Sequence, residues 1–343
     1  LQKRLTINLI FIMGEFMTKA IVIHQYGGPE VLQWEDIDIG DPGPDEVRIK
    51  HEAVGLNFRD TYHRSGSYGV PGDKFPTIIG GDGAGTIEAV GENVSNLNVG
   101  QRVTYGNGPM GSYAQSRLMP AKFVLPLPDG IEFQTAAAMM VKGMTAQYLI
   151  RSCYPVSSGD TILIQAVAGG VGLILCQWAK HLGATVIGTV STEEKAELAH
   201  SYGCDHAINY SEEDFAKRVR EITDGEGVPV VYDGVGLSTF EGSIDSLRVR
   251  GTLVGYGNAS GNFPKFDPLL LMDKGSLYFQ RTSMRHFVRD RAELEQVSGE
   301  IMALVSEGTI KIEVNKTYPL EEAPQAHIDL EARKTSGSIV YIP

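Results

Sequence analysis

Residues 161–172, TILIQAVAGGVG, carry the reading on which the fold depends. Thr161-Ile162-Leu163-Ile164 is a short apolar, β-branched run and predicts a buried strand. A glycine turn follows, and then a helix beginning near Val171. Glycines there let the backbone approach a ligand closely, while the helix start offers free N–H groups and the positive end of its dipole to a phosphate. A second strand over 184–190 stands at the spacing of a βαβ unit that binds a dinucleotide. Ala166, Gly169 and Gly172 give A-x-x-G-x-x-G where the usual pattern is G-x-G-x-x-G. The alternative reading of the loop alone is a tight strand-to-helix turn with no ligand.

Outward from this unit, strands and helices alternate. Strands are expected at 206–209, 228–232, 252–254 and 276–280, with helices at 193–201, 212–222 and 239–247 between them. Such alternation predicts a parallel sheet covered on both faces. Before it, from 19 to about 123, alternating runs at 19–23, 46–50, 85–90 and 100–104 are broken by glycine and proline turns, and predict a β-rich unit. A helical segment over 132–151 joins the two. The tail predicts a helix at 292–306, a strand at 311–318, a helix at 323–332 and a last strand at 338–341. The expected layout is an extension over 1–16, a β-rich unit over 17–141, a nucleotide-binding unit over 142–282 and a return segment over 283–343.

With 343 residues, 42% of them hydrophobic, the chain has enough apolar material for two soluble domains. Lys and Arg number 30 against 42 Asp and Glu, a net charge of -12 that opposes binding to nucleic acid or an anionic membrane. Cys153, Cys176 and Cys204 are far apart in sequence, with no C-x-x-C pair and no Cys/His cluster. Neither a disulfide framework nor zinc is indicated, and a reducing cytoplasm fits. The first sixteen residues, LQKRLTINLIFIMGEF, differ from the rest; their apolar run is too short to span a membrane, and the domain is expected to start at Met17.

Several motifs now stand in order: Tyr26-Gly27-Gly28-Pro29-Glu30-Val31-Leu32, Asn57-Phe58-Arg59-Asp60-Thr61-Tyr62, Arg64-Ser65-Gly66-Ser67-Tyr68, Ala166 to Gly172, and Tyr256-Gly257-Asn258-Ala259-Ser260. Together they resemble the zinc-independent quinone oxidoreductases, the zeta-crystallin-like branch of the medium-chain dehydrogenase/reductase superfamily. The resemblance implies an α/β protein in which a Rossmann parallel sheet domain is inserted in a β-rich GroES-like catalytic domain. It also implies NADPH as cofactor and a homodimer or homotetramer.

An NAD-specific site usually places a carboxylate after the second strand, on the ribose 2′-hydroxyl. Here Gly188-Thr189-Val190-Ser191-Thr192 offers none before Glu193. By resemblance, Lys195, Tyr210 and Arg333, with Ser191, surround the adenosine 2′-phosphate, a dianion suited to cations and hydroxyls. The other reading makes Lys195 and Arg333 solvated surface charges, and Glu193 and Glu194 stand against a strong phosphate preference. Ala168, Gly169, Gly170, Val171 and Gly188 are the expected cofactor contacts of the turn and second strand. Gly234, Tyr256, Gly257 and Asn258 are expected opposite them.

Zinc-dependent relatives hold their metal with Cys, His and Cys or a carboxylate. In this chain Asn57 stands at the first of those positions and Gly81 at the second, so no zinc is expected. Without a Lewis acid, activation falls to positioning, hydrogen bonds and an electron-poor acceptor. The resemblance places Asn57, Asp60, Tyr62 and Tyr68 around the nicotinamide and substrate, and Thr145 at the nicotinamide. As plain structure, the tyrosines would be packing aromatics and Asp60 a cap. Gly81-Asp82 departs from the Thr-Glu pair of close relatives. No residue presents itself as an obligatory general acid. The expected activity is NADPH-dependent hydride transfer to a quinone. Reduction of an α,β-unsaturated carbonyl is the alternative, and a crystallin-like or RNA-binding role, opposed by the net charge, is the third.

Overall fold

The apolar run at 161–164 forms a central strand, Thr161–Ile164, in the computed structural model of the chain, which describes residues 16–343. Six strands make an all-parallel sheet in the order His206–Asn209, Thr185–Val190, Thr161–Ile164, Val228–Asp233, Leu247–Gly255, Tyr278–Arg281. Val228–Asp233 is buried throughout and Thr161–Ile164 nearly so, as strands covered on both faces by helices must be. The chain order reverses between these two strands. In open parallel sheets a ligand crevice forms at that point, beyond the carboxyl ends of the strands.

A second, mostly antiparallel sheet is built around Glu46–Leu56, which pairs with Gly83–Val90, Ser116–Pro120 and the C-terminal strand Ser338–Ile342. Ile339 lies opposite Leu56, so the tail returns to the first sheet after the parallel one is complete. A small sheet of Gln33–Asp38, Met17–Ile23 and Thr77–Ile78 closes that unit. The architecture is thus a Rossmann sheet inserted in a GroES-like β-rich unit. We propose the divisions at 16/17, 141/142 and 282/283 on this sheet membership; the helix Phe133–Tyr148 runs unbroken through the second of them, buried from Ala136 to Tyr148. The extension expected over 1–16 lies, except for Phe16, outside the described residues. No helix among the described residues is long and apolar enough to cross a membrane.

Departures from the expected elements have local causes. The helix expected over 212–222 starts at Phe215, because Asp214 caps it by accepting from the N–H groups of Ala216 (2.9 Å) and Lys217 (3.1 Å). The strand expected from 276 starts at Tyr278, since Gly275 and Ser276 both take positive φ. The helix Phe58–Ser65 was not expected from apolar periodicity. It is set by its ends instead: the Asp60 carboxylate accepts from the Asn57 N–H (2.9 Å), and Gly66 closes it in the left-handed region at φ 86°.

The glycine turn is held from below by a directed chain of buried hydrogen bonds. The Ala166 N–H donates to Thr189 Oγ1 (3.1 Å), Thr189 Oγ1 to Gln165 Oε1 (2.6 Å), Gln165 Nε2 to Ser243 Oγ (3.0 Å), and Ser243 Oγ to Asp233 Oδ2 (2.8 Å). Thr239 and the N–H groups of Val235 and Gly236 complete the Asp233 carboxylate. Ala166 itself sits at φ 54°, a cost these contacts offset. Gly172 is required by space: a Cβ there would lie 2.5 Å from the Val167 carbonyl oxygen and 2.6 Å from that of Ala166. Gly172→Ala should therefore destabilise the fold by about 1–3 kcal/mol. Gly299→Ala, in the exposed interior of the helix Arg291–Ser306 with open space around it, should stabilise by about 0.5–1 kcal/mol. Urea unfolding midpoints check both signs.

Candidate active site

A cleft of about 1360 Å³ opens where the strand order reverses, with the glycine turn on one wall and the helix Phe58–Ser65 on the other. Ala168, Gly169, Gly170 and Val171 line it from the turn. Gly170 is closely fitted: a Cβ would lie 2.6 Å from Lys142 Cδ and 3.0 Å from the Gly337 carbonyl oxygen. Gly169 has open space on that side apart from the Ala166 carbonyl oxygen, so the start of the helix Gly170–His181 faces the cleft with little in front of it. Such a cradle suits a pyrophosphate.

Further along the same wall, Ser191, Lys195, Tyr210 and Arg333 converge from separate elements. Lys195 Nζ donates to the Arg333 carbonyl oxygen (2.8 Å), which ties the helix Glu193–Ser201 to the returning tail. Burial, then the nearby Arg333 charge, pulls the Lys195 ammonium below its ordinary range. Glu193 and Glu194 are exposed and do not line the cleft, while Glu213 and Asp214 do. Asp214 is engaged as the cap described above.

On the opposite wall, Asn57 is buried, and its Nδ2 donates to Asp82 Oδ1 at 2.7 Å. Asp82 Oδ2 accepts from the Val141 N–H (3.2 Å). Burial pushes the Asp82 carboxyl up to about 6, against the pull of Lys142. Asn57 Oδ1 has no hydrogen-bond partner although it is buried beside the cleft. An orphaned acceptor of this kind fits a ligand donor such as a carboxamide or ribose hydroxyl. Thr145 and Lys142 line the cleft next to it. Lys142 Nζ donates to the Leu56 carbonyl oxygen (3.1 Å), and burial lowers its pKa against the attraction of Asp82 and Asp60.

Tyr62 and Tyr68 form an aromatic edge, their ring centroids 4.8 Å apart. Both reach across to the Rossmann side: the Asn258 N–H donates to the Tyr62 hydroxyl (3.0 Å), and Asn258 Nδ2 (3.1 Å) and Arg281 Nη2 (2.9 Å) to that of Tyr68. Gly234, Tyr256 and Gly257 line the cleft beneath this crossing. Three expected site residues are placed differently. Asp60 is fully buried behind Asn57, bonded to the Asn57 N–H and the Tyr113 hydroxyl (3.2 Å), and does not line the cleft. Gly188 is a packing glycine, since a Cβ there would overlap Val167 and lie 3.0 Å from Cys204 Sγ. Asn258 acts through its bonds to the two tyrosines rather than from the lining.

Lys142 and Arg59 line the cleft but were not singled out from the sequence. A lysine inside the apolar run AAAMMVKGM was the available signal for the first. Arg59 fills the room beside Gly81, where a Cβ would overlap its Nη2. The donors that zinc would need do not meet here. Asn57 is bonded to Asp82, Gly81 has no side chain, and a guanidinium occupies the space. Among the described residues no three His, Cys, Asp or Glu side chains are grouped to hold a metal.

Comparison with known proteins gives the family. The family model for the alcohol dehydrogenase GroES-like domain matches residues 43–129, and that for zinc-binding dehydrogenases residues 170–303. A quinone oxidoreductase of Pseudomonas aeruginosa is 48% identical over 95% of this chain and 100% of its own length. A 2-haloacrylate reductase of a Burkholderia species is 45% identical over 95% of this chain and 99% of its own. The crystal structure of Escherichia coli quinone oxidoreductase complexed with NADPH superposes with a TM-score of 0.92 at 43% identity, covering 95% of this chain and 100% of that one. The chain belongs to the quinone oxidoreductase family of the medium-chain dehydrogenase/reductase superfamily.

Proposed function

We propose that the protein is an NADPH-dependent reductase that passes hydride directly to a quinone, with no metal in the step. The observation that carries the reading is the cleft itself: a phosphate cradle at Gly169–Gly170, cations at Lys195 and Arg333, and an unpartnered acceptor, Asn57 Oδ1, on the opposite wall. It is supported by the relatives named quinone oxidoreductase and by the relative solved with NADPH. When bound, NADPH supplies the hydride. The turn and the helix start would hold its pyrophosphate, while Ser191, Lys195, Tyr210 and Arg333 would hold the 2′-phosphate. Asn57, fixed by Asp82, would orient the nicotinamide end with Thr145. Tyr62 and Tyr68 give a flat acceptor an aromatic face and, through Asn258 and Arg281, narrow the cleft mouth. A second reading, reduction of an activated C=C bond conjugated to a carbonyl, is favoured by the 2-haloacrylate reductase relative and uses the same residues.

We also propose a homodimer. Tyr278–Arg281 is the outermost strand of the parallel sheet, and Val249, Leu269, Met272 and Tyr278 are exposed. A free sheet edge among exposed apolar side chains suits pairing with a second copy about a two-fold axis.

NADPH oxidation assayed side by side with a benzoquinone and an alkenal separates the two activities; turnover of the alkenal alone would refute the quinone assignment. Lys195→Ala should raise KM for NADPH by about tenfold or more, the worth of a charge-assisted hydrogen bond, and change KM for NADH far less; equal effects on both cofactors contradict the 2′-phosphate role. Because Asp82 ionises at about 6, Asn57 loses its charged acceptor below that pH, and kcat/KM should fall as the pH drops through it. Asp82→Asn, whose amide cannot accept from both Asn57 and Val141, should flatten this acid limb and lower the plateau. Sedimentation should give a dimer for the native chain and a monomer for the Val249→Asp/Tyr278→Asp double variant; a native monomer would refute the edge pairing.

A further inference from the structure

We propose that Arg59 forms an anion subsite on the acceptor wall of the cleft, and that the acceptor is a conjugated carbonyl compound carrying a carboxylate. The inference rests on the NADPH-dependent reading above and adds the chemical class of the second substrate.

The first observation is an unused charge. Arg59 lines the cleft beside Asn57, Tyr62 and His63. Among the described residues its guanidinium makes no hydrogen bond and no ion pair, and its Nε is buried without a partner. Other cations on the lining are engaged: Lys142 Nζ on the Leu56 carbonyl oxygen (3.1 Å), Lys195 Nζ on that of Arg333 (2.8 Å), and Arg285 Nε on His286 (3.2 Å). Arg333 has a free side chain, but it is exposed to water and belongs to the 2′-phosphate in our reading. The carboxylates near Arg59 make no hydrogen bond or ion pair with it. Asp82 takes Asn57 Nδ2 and the Val141 N–H. Asp60 takes the Asn57 N–H and the Tyr113 hydroxyl on Oδ2, and its unpartnered Oδ1 is fully buried behind Asn57, where the Arg59 charge offsets part of the cost of burial without a direct bond.

The second observation is independent of charge. Any side chain at position 81 would overlap Arg59 Nη2, so the glycine there is what admits the guanidinium to its place against the cleft floor. Burial, reinforced by the Arg59 charge, lowers the pKa of neighbouring His63, which therefore adds no cation at neutral pH. One fixed guanidinium remains on that wall with donors to spare.

A planar fork of N–H groups selects a carboxylate, which it can bind through two parallel hydrogen bonds. The cofactor's own anions are accounted for on the Rossmann wall, the pyrophosphate at Gly169–Gly170 and the 2′-phosphate at Lys195 and Arg333. Arg59 lies on the opposite wall with the tyrosines, on the side left for the acceptor.

Steady-state assays with 1,4-naphthoquinone and its 2-sulfonate, a stable anionic counterpart, test the subsite in the native chain, Arg59→Gln and Arg59→Lys. The native enzyme should favour the anionic quinone in kcat/KM by about tenfold or more, the worth of one charged hydrogen-bonded contact. Arg59→Gln should abolish that preference and Arg59→Lys restore part of it. A parallel measurement needs no turnover: binding of 2-naphthoate and 2-naphthamide to the enzyme saturated with NADP⁺, followed by calorimetry. Naphthoate should bind the native chain about tenfold or more tighter than naphthamide, and this difference should vanish in Arg59→Gln. Equal binding of the two by the native chain overturns the proposal, as does a difference that survives in Arg59→Gln. A weakened NADPH Kd in Arg59→Gln with an unchanged anionic preference also overturns it and gives the cation to the cofactor. If the native enzyme oxidises NADPH with neither quinone, the quinone reading fails by itself, and the naphthoate comparison alone decides the subsite.

Discussion

The buried carboxylate of Asp233 is the anchor on which the cleft depends. It lies at the end of a central strand and accepts four hydrogen bonds, from Thr239, Ser243, Val235 and Gly236. Through Ser243, Gln165 and Thr189 its influence reaches the Ala166 N–H, three residues before the glycine that opens the cradle. A buried polar chain is favourable only when every member is satisfied, and here each named donor has its acceptor. The result is a turn whose backbone N–H groups are held in place before any ligand arrives. Burial pushes the Asp233 pKa up, while the four donors pull it down.

The opposite wall is organised by a different compromise. Asp60, Asp82 and Lys142 are all buried around Asn57, and each bears the cost of leaving water. Their opposite charges offset part of it, and the remaining polar atoms are tied to backbone: Lys142 to Leu56, Asp82 to Val141, Asp60 to Asn57. Of the buried atoms left without partners here, Asn57 Oδ1 and Arg59 Nε belong to residues that line the cleft, while Asp60 Oδ1 lies behind them. The first two, within reach of a bound molecule, are the chemically informative ones.

Much of this was open to reading in the sequence. The continuous apolar run at 161–164, the glycine turn and the alternation of strands with helices located the parallel sheet, because strands buried on both faces must be apolar throughout, while the period-2 runs marked the β-rich unit. The missing carboxylate after the second strand spoke against a ribose-hydroxyl contact of the NAD type, and the family resemblance named Lys195, Tyr210 and Arg333, which line the same cleft although 138 residues separate Lys195 from Arg333. The helix Phe58–Ser65 was not visible, since it is fixed by its two ends and by packing rather than by an apolar stripe. Asp60 shared a motif with Asn57 and Tyr62 but folds behind them, because a side chain at the third helical position turns back to cap the first turn. Arg59 escaped notice for the same reason that makes it informative: its role depends on the space beside Gly81, 22 positions further along and unrelated by any local pattern.

The most direct test of the account is a crystal structure of this chain with NADPH bound. The account predicts the pyrophosphate over Gly169 and Gly170, the 2′-phosphate among Ser191, Lys195, Tyr210 and Arg333, and a nicotinamide-end donor on Asn57 Oδ1. A dinucleotide bound in the reverse sense, or with its 2′-phosphate facing solvent away from Lys195 and Arg333, would contradict it.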